Sequence, residues 1–155
     1  MVVLQIVGYK NIGKTTLLSE TVRYLSAQGY RVVTIKHHGH VGEDITLQDT
    51  SVDHMRHFEA GASQSIVQGH AYVQSVTRQP AAEPLEVLIQ HQIHVPYDIV
   101  LVEGYKQAAF PKVIMYRNED ERQQLLTLSE VVCEVAHNEQ ASYWDWLDQW
   151  LASKI

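Results

Sequence analysis

The chain opens on an apolar run, Val2-Val3-Leu4-Gln5-Ile6-Val7, broken only by Gln5, and a second run of the same kind, Ile99-Val100-Leu101-Val102, follows almost a hundred residues later. Runs that are apolar at successive positions are the pattern of strands covered on both faces inside a parallel sheet. After the first run, Leu17, Leu18, Val22 and Leu25 recur at helical spacing, which predicts a helix from about Thr16 to Gln28 that stops at Gly29. Tyr30-Arg31-Val32-Val33-Thr34-Ile35 is the next strand. This strand–helix–strand order predicts right-handed crossovers in a parallel sheet. From Lys36 to Thr50 no period is visible, so a long loop is expected there. Asp53 is expected to cap a short helix over His54 to Glu59 that closes at Ala60-Gly61-Ala62, and Ser65 to Gly69 with Ala71 to Thr77 read as two further strands outside the parallel core. A helix from Glu83 to His91, strands at Asp98 to Gly104, Lys112 to Tyr116 and Val131 to Val135, and a helix from Gln140 to Leu151 complete the pattern. In the last helix Trp144, Trp146, Leu147, Trp150 and Leu151 can cover the sheet.

Directly after the first apolar run, Gly8-Tyr9-Lys10-Asn11-Ile12-Gly13-Lys14-Thr15 completes the pattern G-x-x-x-x-G-K-[ST]. Strand, glycine loop and helix in that order make a phosphate cradle, because backbone N–H groups and the helix dipole converge on an anion. Gly8, Asn11, Ile12, Gly13, Lys14, Thr15 and Thr16 are the candidate binding residues, with Lys14 reaching the β- and γ-phosphates and Thr15 offering its hydroxyl to Mg²⁺. The expected architecture is therefore α/β, a three-layer P-loop NTPase-like fold with a mainly parallel central sheet and additional antiparallel strands, in a single domain over residues 1–155. In such sheets ligands sit at the carboxyl ends of strands. Asp98 and Glu103 lie at opposite ends of one strand, roughly 16 Å apart, so Glu103 is assigned to the ion with Thr15, and Asp98 to strand entry.

Composition narrows the reading. A net charge of −6 argues against an extended nucleic-acid surface, so an anion must be held locally. Cys133 is the single cysteine, which excludes an intrachain disulfide and suits a reducing compartment. The opening run reads as a strand, without a basic leader, and is too short to cross a bilayer; a cytoplasmic protein without membrane contact is expected.

Three blocks, namely Gly8 to Thr16, Lys36-His37-His38 with Asp53-His54-Met55-Arg56-His57-Phe58-Glu59-Ala60-Gly61-Ala62, and Asp98 to Lys106 with Pro111-Lys112, together resemble the molybdopterin-guanine dinucleotide biosynthesis adapter family, MobB. The resemblance implies GTP binding with Mg²⁺, slow hydrolysis, a homodimer, and work beside the guanylyltransferase MobA, which attaches GMP to molybdopterin. It implies that the chain assists this transfer and is not itself the transferase. His37, His38, Asp53, Arg56 and Lys106 join the candidate ligand-binding residues on this basis. Two departures stand out: Ser51-Val52-Asp53-His54 replaces the family's Gly-Lys-Asp-Ser, and Tyr9 and Asn11 stand where smaller residues are common.

The base is poorly encoded. The guanine reader Asn-Lys-x-Asp is missing, and its nearest match, Arg117-Asn118-Glu119-Asp120, lacks the lysine. Neither an arginine finger nor a positioned base stands out, which predicts slow or partner-dependent hydrolysis. Two alternatives stay open: a small-molecule kinase, although no arginine-bearing lid precedes Arg56, and a metallochaperone GTPase in which His37, His38 and His40 load a metal.

Overall fold

The computed structural model describes residues 1–38 and 43–155. In chain order its elements are β1 (Val3–Gly8), α1 (Lys14–Ala27), β2 (Val32–Lys36), α2 (Asp53–Glu59), β3 (Gln64–Gln68), β4 (Val73–Thr77), α3 (Leu85–Gln92), β5 (Ile99–Glu103), β6 (Lys112–Tyr116), α4 (Glu119–Leu125), β7 (Val131–Ala136) and α5 (Ala141–Ala152). They fall into two compact units, one of Met1–His37 with Pro84–Ile155 and one of His38–Glu83.

The first unit holds a five-stranded sheet in the order β2-β5-β1-β6-β7, parallel throughout. β1 and β5 are buried along their whole lengths, as expected of strands with neighbours on both sides and helices on both faces. On one face α1 and α5 pack Leu17, Leu25, Tyr143, Leu147 and Leu151 onto Leu4, Ile6, Leu101 and Met115. On the other, α3 brings Leu85 and Ile89 to Val3, Val100 and Val102, and α4 brings Leu125 to Val7 and Ile114. These are the expected three layers.

The link from β5 to β6 has no helix. Residues 104–111 pass over β1, and Tyr105, Ala108 and Phe110 fill the gap against the core around Val3 and Val102. Two buried polar side chains fasten this link. Gln5 Nε2 donates to the carbonyls of Gly104 and Tyr105 at 2.9 and 2.7 Å. Lys112, with no solvent exposure, donates from Nζ to the carbonyls of Ala108, Phe110 and Ser129. Gln5 is thus the one polar residue in the first apolar run because the backbone of the link needs a donor there.

The second unit holds α2 and the antiparallel pair β3–β4. Met55 and Phe58 are the buried residues of α2, and Arg78 closes its last turn by donating to the Phe58 carbonyl while its guanidinium lies 4.1 Å from the centre of the Phe58 ring. The outward side of the strand pair leaves Ile66 and Val73 exposed, with Tyr72 beside them.

Several expectations need correction. Asp53 does not cap α2: Val52 holds the cap position without a side-chain bond, and Asp53 is the first helical residue. Helix α1 begins at Lys14, two residues earlier than the periodicity suggested, because Lys14 and Thr15 point at the mouth of the site and carry no apolar signal. Helix α4 was not anticipated; Asn118 is its cap, its Oδ1 accepting from the Glu121 amide at 2.9 Å. A side chain committed to capping is a helix start, which explains the failed match to a guanine reader.

Candidate functional site

Gly8 ends β1 beside β6, and a Cβ there would stand 2.8 Å from the Met115 carbonyl oxygen. Only glycine allows so close an approach. Asn11 takes a left-handed conformation, which asparagine tolerates better than most residues. Gly13, with φ 108°, caps α1 without a side-chain bond, and no acid stands in the first turn. The helix therefore presents its first amides and positive dipole end to the loop, the arrangement that attracts a phosphate. Ile12 points its side chain into the core, so its part in the loop is played by the backbone alone.

Lys14 Nζ folds over the loop and donates to the carbonyls of Gly8 and Tyr9, both at 2.9 Å. Burial lowers its pKa, and the neighbouring charges of Lys106, Lys36 and Arg117 press in the same direction against the opposing pull of Glu103. An ammonium under such stress is relieved by an incoming anion.

Glu103, only 8% exposed, closes β5. Register pairs it with Ile6 on β1 and Lys36 on β2. Its Oε1 accepts from the Thr15 hydroxyl at 2.8 Å and lies 3.3 Å from Lys36 Nζ. Carboxylate and hydroxyl side by side are hard oxygen donors of the kind Mg²⁺ selects. Asp98, at the other end of the strand, is held by Arg31 through two side-chain bonds at 3.0 and 2.7 Å, which press its pKa down to about 2. The strand thus separates its two acids as their positions require.

Around this centre the first unit gathers further side chains. Lys106 Nζ sits 4.3 Å from the centre of the Tyr9 ring, whose hydroxyl donates to Gln124 of α4. The His37 ring packs on Tyr105 with centroids 4.7 Å apart, and its amide donates to the Glu103 carbonyl. Arg117 follows β6 and is tied to Glu121 by an ion pair of 2.7 Å. Thr16 is exposed beside the loop. Of the remaining candidates, His38, Asp53 and Arg56 belong to the second unit, where Asp53 and Arg56 are exposed on α2. His40 lies outside the described residues. Among those described, no group of three or more His, Cys, Asp or Glu side chains is placed to hold a metal.

Sequence reasoning assigned no role to Lys36, Tyr9 or Arg117. For Lys36 the signal was present: it ends β2 as Glu103 ends β5, and adjacent parallel strands bring equivalent ends together.

Comparison with known proteins adds a family. The family model described as "Molybdopterin guanine dinucleotide synthesis protein B" matches residues 3–138. The chain is 34% identical over 123 residues to a probable molybdopterin-guanine dinucleotide biosynthesis adapter protein of Bacillus subtilis, covering 79% of this chain and 69% of the relative. It is 36% identical over 135 residues to the adapter protein of Haemophilus influenzae, covering 87% and 74%. Among solved structures, a MobB homologue from Bacillus stearothermophilus superposes with a TM-score of 0.75 at 29% identity over 99% of both chains. Bacillus subtilis MobB superposes with 0.69 at 32% identity over 87% of this chain and 77% of its own.

Proposed function

Because this chain belongs to the molybdopterin guanine dinucleotide synthesis protein B family, MobB, we propose that it is an adapter in the making of that dinucleotide and that it binds GTP with Mg²⁺ at the loop Gly8 to Thr16. The observation that carries the reading is the meeting of Thr15 and Glu103 at 2.8 Å beside Lys14. The loop amides and Lys14 hold the triphosphate tail, and Thr15 and Glu103 hold the ion, which neutralises charge on the phosphate oxygens. Hydrolysis is slow in this reading: Arg117, the arginine whose charge reaches Lys14, is already paired with Glu121, so its guanidinium is not free to accelerate phosphoryl transfer.

In this role the chain assists the guanylyltransferase MobA as it joins GMP to molybdopterin, in the cytoplasm. His37 and Lys106 of the first unit are offered to an anionic ligand; His38, Asp53 and Arg56 are candidate ligand-binding residues of the second unit, taken by itself. A homodimer forms through the second unit, whose strand pair exposes Ile66, Tyr72 and Val73 and, among the described residues, has unpaired edges of the kind that pair symmetrically.

The test is a titration of the whole chain with GTP and ATP, each with and without Mg²⁺, followed by addition of MobA and molybdopterin. GTP is expected to bind more tightly than ATP and to raise dinucleotide yield. Lys14→Ala is expected to weaken triphosphate binding by more than about tenfold, as loss of a charge-assisted contact implies, while thermal unfolding stays close to that of the parent. Equal affinity for ATP refutes the base assignment, and undiminished affinity in the variant refutes the site.

A further inference from the structure

Glu103 has two claimants for one oxygen. Its Oε1 accepts the Thr15 hydroxyl at 2.8 Å and also takes the Lys36 ammonium at 3.3 Å. The carboxylate is nearly buried, whereas the Lys36 side chain is 57% exposed. An acid in that position needs a counter-charge, since an unpaired carboxylate out of water is costly. An exposed lysine at the end of an edge strand supplies one while remaining free to swing away. A divalent ion shared by Thr15 and Glu103 would need the same oxygen, and an ammonium cannot stay within hydrogen-bond distance of it without meeting the ion's charge.

We infer that Lys36 is a built-in counter-ion for Glu103 that competes with the nucleotide's divalent ion, and so sets how far nucleotide binding depends on that ion. The inference rests on the reading that Thr15 and Glu103 hold the ion. With Lys36 in place, Glu103 is neutralised, and a triphosphate without its ion can approach Lys14 without facing a bare carboxylate. When the ion arrives with the nucleotide, it takes over Glu103 and releases Lys36 into the mouth of the site, where Lys14 already feels its charge. Other lysines there do not play this part: Lys106 lies against Tyr9, and Lys14 points at the Gly8 and Tyr9 carbonyls.

The experiment measures the dissociation constant of GTP in Mg²⁺ and in EDTA for the whole chain, for Lys36→Met and for Lys36→Arg, together with Mn²⁺ binding by electron paramagnetic resonance without nucleotide. Lys36→Met leaves Glu103 uncompensated. The ratio of the EDTA constant to the Mg²⁺ constant is expected to rise by about tenfold, the scale of a half-buried ion pair, mainly through weaker binding in EDTA. Mn²⁺ alone is expected to bind the variant more tightly than the parent, and Lys36→Arg to return the ratio to within about threefold of the parent. A ratio unchanged by Lys36→Met overturns the inference, even if both constants shift together, because a lysine that simply contacts phosphate would weaken both equally. Equal binding in the two buffers by both the parent and Lys36→Met, with no Mn²⁺ bound by either, overturns the ion-site reading and the inference with it, whereas an unchanged ratio in a chain that does bind Mn²⁺ overturns the inference alone.

Discussion

Lys112→Met tests the physical argument at its most demanding point. The lysine is wholly buried, burial lowers its pKa, and its ammonium donates to three backbone carbonyls, two of them at 3.0 and 2.9 Å. Bonds from a charged donor each contribute about 1.5–3 kcal/mol, against a burial cost for the ammonium of several kcal/mol. Methionine keeps the length and removes the charge, so the burial cost disappears along with all three bonds. The carbonyls of Ala108, Phe110 and Ser129 then lose their donor within the fold. The balance is a loss of about 2–4 kcal/mol, which for a chain of this size lowers Tm by roughly 5–15 °C. All three tryptophans lie on α5 in the first unit, so urea unfolding followed by tryptophan fluorescence reports the unit that contains Lys112. The same substitution loosens the link that carries Lys106 over Tyr9, and triphosphate affinity is expected to fall even where the variant is folded. A variant within about 0.5 kcal/mol of the parent, the range of neutral surface changes, would show that the three carbonyls do not depend on the lysine.

Gly8→Ala sets a Cβ 2.8 Å from the Met115 carbonyl and 3.0 Å from Ile12 Cγ2, so β6 or the loop must shift. Destabilisation of about 1–3 kcal/mol by urea titration is expected, with loss of triphosphate binding, and a variant that binds normally would contradict the close approach. Asp98→Asn removes an acid whose pKa stands at about 2, below its ordinary 3.8. A depressed carboxylate adds stability above its ordinary value and loses it as pH falls towards the folded value. The urea midpoints of parent and variant are therefore expected to differ by a constant amount above about pH 5 and to converge between pH 4 and 2; a gap that persists at pH 2 would contradict the assignment to Arg31.

What the sequence made legible was whatever a local period or a fixed spacing encodes. The apolar runs gave β1 and β5, the glycine pattern gave the loop, and the length of β5 separated Asp98 from Glu103. The misses share a different cause. Lys112 reads as a polar residue opening a strand, and nothing nearby in sequence announces that Ser129 will meet its ammonium. Helix α4 is seven residues long and carries one buried side chain, Leu125, too few to set a period; its one local sign was Asn118 followed by Glu121 at capping distance. Asp53 was misassigned by one position, within the range over which helix ends are ambiguous. The tryptophans draw attention on α5, yet the bulkiest fully buried side chain there is Tyr143, with its hydroxyl against Thr21 at 2.9 Å.

The electrostatics of the site follow from the same distinction between local and distant effects. A chain of net charge −6 is a poor attractor of a polyanion if charge is counted over the whole molecule. Yet exposed charges separated by more than about 8 Å are largely screened at physiological ionic strength, so only the immediate surroundings of the loop decide. There Lys14 experiences three other cations, Lys36, Lys106 and Arg117, and one acid, Glu103. Lys36 and Glu103 compensate each other, as do Arg117 and Glu121. What is left facing an anion is Lys14, Lys106 and the amides at the start of α1, a modest excess that suits a nucleotide arriving with its ion already bound. In the proposed function, such a site holds the nucleotide without strongly activating its γ-phosphate, the combination an adapter needs if another protein is to do the chemistry.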